Sequence, residues 1–215
     1  TSSLGANTTG ANNTAVGMQS LDANTTGNTN TAIGKDSLGA NTTGSQNTGL
    51  GHNALESNTT ASDNTAVGKN ALRNNTTGTR NTSIGTNSGD AITDGLANVL
   101  VGNNAGGGGN FTSVVAVGDN ALLVNTANNN TAVGQEAMVA NTSGSENTAV
   151  GQGALGSNTT AIDNTAVGRD ALALNTTGNE NTALGKDALS ANTTGTNNLS
   201  LGSDTMLANT TGSNN

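Results

Sequence analysis

At one position of a repeat, ten asparagines head an Asn-Thr-Thr or Asn-Thr-Ser triplet: Asn7, Asn24, Asn41, Asn58, Asn75, Asn141, Asn158, Asn175, Asn192 and Asn209. No triplet contains proline, so each fits the Asn-x-Ser/Thr acceptor pattern for N-glycosylation. Two chemistries are open to such a series. Set along one outer edge, the amides could carry a line of glycans. Stacked against their own copies, they could instead bond to one another as a ladder, with the following Thr-Gly as turn chemistry.

Other chemistry is thinner. Asp or Asn recurs two residues after a recurring glycine, at Asp36, Asn53, Asn70, Asn87, Asn104, Asn120, Asp170, Asp187 and Asp204. Such oxygens could bind calcium, but no calcium-type glycine nonapeptide is present and Asx-turns explain the pattern equally well. No metal or cofactor is expected. His52 is the only histidine and holds a variable position. No Ser-His-Asp set or carboxylate pair stands out, and Gly106–Gly109 precede no Lys-Ser/Thr, so the chain reads as a non-enzyme. Fourteen acidic against 6 basic residues, a net charge of −8 and a single aromatic, Phe111, leave no surface for nucleic acid. Without cysteine there are no disulfides or thiolate metal sites. No apolar run approaches the ~18 residues of a membrane span. The chain opens on Thr1 and starts and ends inside a repeat, as a segment of a longer or processed protein would.

The elements that carry these residues follow from a period. A glycine preceded by a branched aliphatic recurs every 17 residues from Gly17 to Gly102, takes two 16-residue steps to Gly118 and Gly134, and resumes through Gly202. The unit [A/S]-L-x-x-N-T-T-G-x-x-N-T-A-V-G-x-x, in about twelve copies, predicts an all-β parallel β-solenoid with 17-residue rungs. Asn, Thr and Gly are poor helix formers and no 3.6-residue apolar stripe develops.

Within a rung, the column Val16, Ile33, Leu50, Val67 and onward to Leu201 is aliphatic throughout and is expected to face the core. Thr14 and its equivalents lie two residues earlier on the same strand face and are expected inside with it. Ala15 and its equivalents would point the other way, kept small by another wall of the coil or a neighbouring chain. Leu21, Leu38, Leu55, Leu72, Leu122, Met138, Leu155, Leu172, Leu189 and Met206 form a second apolar column. Regular rungs occupy 1–85 and 118–215. Between them, 86–117 lose the leucine column at Gly89 and Gly106 and contain Gly106–Gly109, which reads as a bulged pair of rungs with a surface loop or as a functional kink.

NTAVGQEAM, NTAVGQGAL, NTAVGRDAL and NTALGKDAL resemble the repeats of trimeric autotransporter adhesin heads and of bacteriophage tail fibres and related surface fibres. The resemblance covers 4–85 and 118–214. It implies a left-handed parallel β-roll, often of three chains, with the Ala15 column suited to a close interchain contact. The rung here is longer than is usual in adhesin heads. The combined expectation is a structural or adhesive rod in an extracellular fibre, at a cell surface or on a virion, self-associating as a homotrimer or fibre. Two alternatives stand beside it. One is a filament glycosylated at its Asn-Thr-Thr sites. The other is an ice-binding solenoid, which inward-facing Thr14 equivalents would oppose and which would leave only the corner threonines Thr25, Thr42 and Thr59.

Overall fold

The structure, a computed structural model, describes residues 2–215, and among them there is no helix. The chain is an all-β, parallel β-solenoid with one three-residue strand per rung. It divides into two compact units, the first ending at Thr112 and the second spanning Ser113–Asn215. In the first, β1 (Thr14–Val16), β2 (Thr31–Ile33), β3 (Thr48–Leu50), β4 (Thr65–Val67), β5 (Thr82–Ile84) and β6 (Val99–Val101) stack in chain order. The second stacks β7 (Val115–Val117), β8 (Thr131–Val133), β9 (Thr148–Val150), β10 (Thr165–Val167), β11 (Thr182–Leu184) and β12 (Leu199–Leu201).

Register follows from the period: every residue pairs with its copy one rung away, as in Thr14↔Thr31, Ala15↔Ala32 and Val16↔Ile33. The corners follow from backbone chemistry. After each strand comes a glycine such as Gly34, at φ +132, where a Cβ would lie 2.5 Å from the Gly51 carbonyl oxygen of the next rung. Positive φ and direct backbone stacking both demand glycine there. Further left-handed residues close the rung, and one is unexpected. The buried leucine column holds φ near +50 throughout, for example Leu38 at 51 and Leu72 at 48. That conformation costs an L-residue about 1–2 kcal/mol, and leucine tolerates it here because its side chain is fully buried.

The strand faces are the reverse of the sequence expectation. Ala32, Ala66, Ala116, Ala132, Ala149, Ala166 and Ala183 are completely buried, whereas Ile33, Leu50, Ile84 and Leu184 are 38–46% exposed. The coil is too narrow to take the larger column. A Cβ at Gly49 would lie 2.5 Å from Ser37 Oγ and 3.4 Å from Leu38 Cγ, so the middle residue of each strand meets the opposite wall of its own coil. The small column is therefore interior and offers no interchain contact. Thr14 and its equivalents share the outward face with the aliphatics, exposed or half-buried. The second apolar column is interior as expected, with Leu21, Leu38, Leu55, Leu72, Leu122, Met138, Leu155, Leu172 and Leu189 at 0% exposure.

Residues 86–112 continue the coil of the first unit. Strand β6 keeps the register, Thr82↔Val99 and Ser83↔Leu100. Gly106 is buried, Gly107 and Gly109 are half-buried and Gly108 is exposed. Leu100, Ile92, Phe111 and Val114 are buried in place of the residues of the regular rungs.

Candidate functional site

The sequon asparagines lie on the inside of the coil. Asn24, Asn41, Asn58, Asn75, Asn141, Asn158, Asn175 and Asn192 have no exposed surface, whereas Asn7 is exposed and Asn209 half-buried. In the first unit each amide donates to the one before it: Asn24 Nδ2 to Asn7 Oδ1 at 2.8 Å, Asn41 to Asn24 at 3.0 Å, Asn58 to Asn41 at 2.9 Å, Asn75 to Asn58 at 3.1 Å. The second unit repeats the chain through Asn125, Asn141, Asn158, Asn175 and Asn192 at 2.7, 2.7, 3.4 and 2.9 Å. In the eight buried sequons Nδ2 also donates to the carbonyl three residues on, as Asn58 does to Ala61 O at 3.1 Å, whereas Asn125 donates to Ala127 O at 2.7 Å. Both amide hydrogens of those eight are thus used, and the atom that would carry a sugar faces the interior.

A second, parallel ladder escaped the sequence reading. The asparagine that opens each Asn-Thr-Ala-Val run accepts through Oδ1 from the backbone N–H of its copy one rung on. Examples are Asn30 N to Asn13 Oδ1 at 2.9 Å and Asn64 N to Asn47 Oδ1 at 3.1 Å. Its Nδ2 crosses the coil to the corner carbonyl, Asn47 to Ala61 O at 2.8 Å, where Asn58 also donates. The signal was available: asparagine holds that position in nearly every copy, and in most copies, Asn81 and Asn198 excepted, it does not head a sequon. Only residue type plus burial identifies it as a structural amide.

The ladders end in two orphaned acceptors. Asn75 Oδ1 and Asn192 Oδ1 are buried with no hydrogen-bond partner. Beyond Asn75 the column carries Ile92, which has no amide to donate.

On the outside, each unit presents two uncharged columns. One is Thr14, Thr31, Thr48, Thr65 and Thr82 with their second-unit equivalents, and the other is the aliphatic column. Copies repeat at ~4.8 Å between rungs and the columns lie ~6.6 Å apart along a strand. The corner threonines behave differently: Thr42 Oγ1 donates to Thr59 O at 3.0 Å, which ties one rung to the next.

The Asp/Asn column considered for calcium is occupied with its own contacts. Asn53 donates to Asn70 at 3.2 Å and Asn70 to Asn87 at 2.9 Å. In the second unit Asp170 pairs with Arg169 at 3.2 Å and Asp187 with Lys186 at 2.7 Å. The hydrogen bond from Lys186 lowers the Asp187 pKa and the same contact raises that of Lys186. Among the described residues no group of His, Cys, Asp or Glu is placed to hold a metal ion. Asp90 differs from the other carboxylates: burial raises its pKa, partly offset by a backbone hydrogen bond and by the Arg73 charge. His52 is exposed. Among the described residues no helix is long and apolar enough to cross a membrane.

No family model matches the chain, and no curated protein or solved structure matches it either.

Proposed function

We propose that this chain is a rod segment of an extracellular fibre whose copies associate along the outward Thr/aliphatic face. One observation carries the reading. Each coil closes on an interior of its own, yet each unit leaves an aliphatic column on its outer face, with Ile33, Leu50 and Ile84 at 38–42% and Leu184 at 46% exposure and Val67, Val133, Val150 and Val167 half-buried. Contiguous exposed apolar surface of this kind marks an interaction site. Parallel chains of the same repeat would bring column against column at a common ~4.8 Å step. The stiffness suited to a rod comes from the backbone and asparagine bonds between rungs. The extracellular setting rests on the resemblance to adhesin-head and tail-fibre repeats. Sugars as the functional coat are disfavoured, because most acceptor amides are inside the coil.

The test is the absolute mass in solution by light scattering with refractive-index detection, since the chain has no Trp or Tyr. A mass near three times 20.8 kDa, falling to 20.8 kDa in a Val150→Asp/Val167→Asp variant with unchanged far-UV circular dichroism, supports the reading. A parent that stays at 20.8 kDa at all concentrations overturns the association.

One observation favours a second reading. The outward turn of the Thr14 column removes the objection to ice binding and sets hydroxyls and methyls in a two-dimensional lattice free of charge. The two readings compete for one face. Thermal hysteresis by a monomeric chain would select ice; a trimer without hysteresis would select the fibre.

A further inference from the structure

Interchangeable rungs create a problem of register. Apart from residues 86–114, any rung of this chain offers its neighbours the same columns, so a looped-out rung or one exchanged between two chains would find matching partners. Period alone does not say which rung stacks on which.

One place breaks that degeneracy. Strand β6 carries Leu100 where other strands carry Ala, Ser or Gly, and Leu100 is fully buried. The rung before and its own rung make room for it. Gly89 and Gly106 stand in the leucine column, and a Cβ at Gly89 would lie 2.6 Å from Leu100 Cδ1, one at Gly106 2.7 Å from Leu100 Cδ2. Conformation is not the reason for these glycines: their φ values of +61 and +62 fall in the left-handed region that leucine itself occupies in other rungs. The reason is volume. Ile92 replaces a ladder asparagine and Phe111 a corner glycine, and both pack into the same cluster. The Ile92 Cδ1 lies 3.3 Å from the Gly89 Cβ position and Phe111 Cζ 2.9 Å from that of Gly106. The exchange interrupts the amide ladder and leaves Asn75 Oδ1 buried without a partner. The short rung is repaired locally, for Asn110 Oδ1 accepts the N–H groups of Thr93, Asp94 and Gly95 at 3.2, 3.1 and 2.8 Å.

We infer that Leu100, seated between Gly89 and Gly106, is a register key that selects one stacking order among otherwise equivalent rungs. Against any regular rung its Cδ atoms would fall where a leucine of the second apolar column packs, and overpacking excludes that arrangement. The fit is complementary only in the native order, large opposite two absences.

The inference is testable because the chain has no cysteine. Lys69→Cys and Thr86→Cys place two thiols at equivalent, exposed positions of neighbouring rungs. At a ~4.8 Å rung spacing they fall within disulfide reach. Refolded from denaturant and oxidised at low concentration, this chain is expected to form one intramolecular disulfide. A keyless chain (Gly89→Leu, Ile92→Asn, Leu100→Ala, Gly106→Leu, Phe111→Gly) is expected to show a several-fold rise in free thiol and intermolecular disulfide. A keyless chain that oxidises as uniformly as its parent overturns the inference. If it fails to fold, the key set is moved two rungs earlier on that background, with Leu55→Gly, Asn58→Ile, Ala66→Leu, Leu72→Gly and Gly78→Phe. Recovery of a single intramolecular disulfide supports the key, and its absence, folded or not, overturns it. The outcome is distinguishable from that of the fibre reading, since parent and keyless chain present the same outward Thr/aliphatic face and differ only in the key.

Discussion

Replacing Asn58 by alanine isolates what the amide ladder contributes. Asn58 Nδ2 donates to Asn41 Oδ1 and Ala61 O, and its Oδ1 accepts from Asn75 Nδ2 at 3.1 Å. Removal leaves Asn41 Oδ1 buried without its donor. Asn75 keeps only its bond to Gly78 O, and Ala61 O keeps Asn47. One fully orphaned buried acceptor costs about 1–3 kcal/mol, and a half-satisfied donor adds to it. The expected loss is therefore about 2–4 kcal/mol, measured by guanidinium unfolding followed by far-UV circular dichroism. Asn58→Asp sharpens the argument. It keeps the shape but replaces both donor hydrogens with a carboxylate facing two oxygens, so its penalty at neutral pH should exceed that of alanine. Protonation restores one donor, so the aspartate penalty should shrink in acid while the alanine penalty stays. An Asn58→Ala midpoint within ~0.5 kcal/mol of the parent, the range of ordinary surface substitutions, would refute a stabilising ladder.

The inverted strand faces make a paired prediction: Ala149→Asp should unfold its rungs through a buried unpaired charge, whereas Val150→Asp, on the outward face, should leave a folded coil. Equal melting curves for the two variants would contradict the assignment. Gly34→Ala should cost at least ~2 kcal/mol, from positive φ and the contact with the Gly51 carbonyl, and a neutral result would mean the corner relaxes freely. Asp90 has a folded pKa raised by burial, so its charged form is disfavoured in the fold and the parent gains stability as pH falls through that raised value. Asp90→Asn should therefore be the more stable protein at neutral pH, with the difference closing on acidification; a pH-independent difference in thermal midpoint would argue against that cause.

Several features of the fold were invisible for physical reasons. A helix or a long strand announces its inner face by a run of alternating residues, but Thr-Ala-Val is only one alternation long, and either parity satisfies it. Large aliphatic outside and small alanine inside inverts the usual rule, which holds when a core has room. Leu38 at φ 51 could not be foreseen either, because leucine has no intrinsic preference for that conformation. Asn24 and its copies were legible as a column but ambiguous in direction, since the same triplet spells a surface acceptor and a buried amide. Conversely, Gly89 and Gly106 read in the sequence only as gaps in the leucine column. Packing reveals that they admit Leu100, as one exchange of volume.

The solenoid is written in the repeat: a period of 17 residues forces copy onto copy, so parallel strands, in-register columns and a glycine corner follow from repetition and backbone sterics. Which columns lie inside follows only from closure of the coil. Closing a coil with so short a rung leaves an interior only wide enough for one leucine, small strand residues and amides that bond along the axis, and the second aliphatic column is left in water.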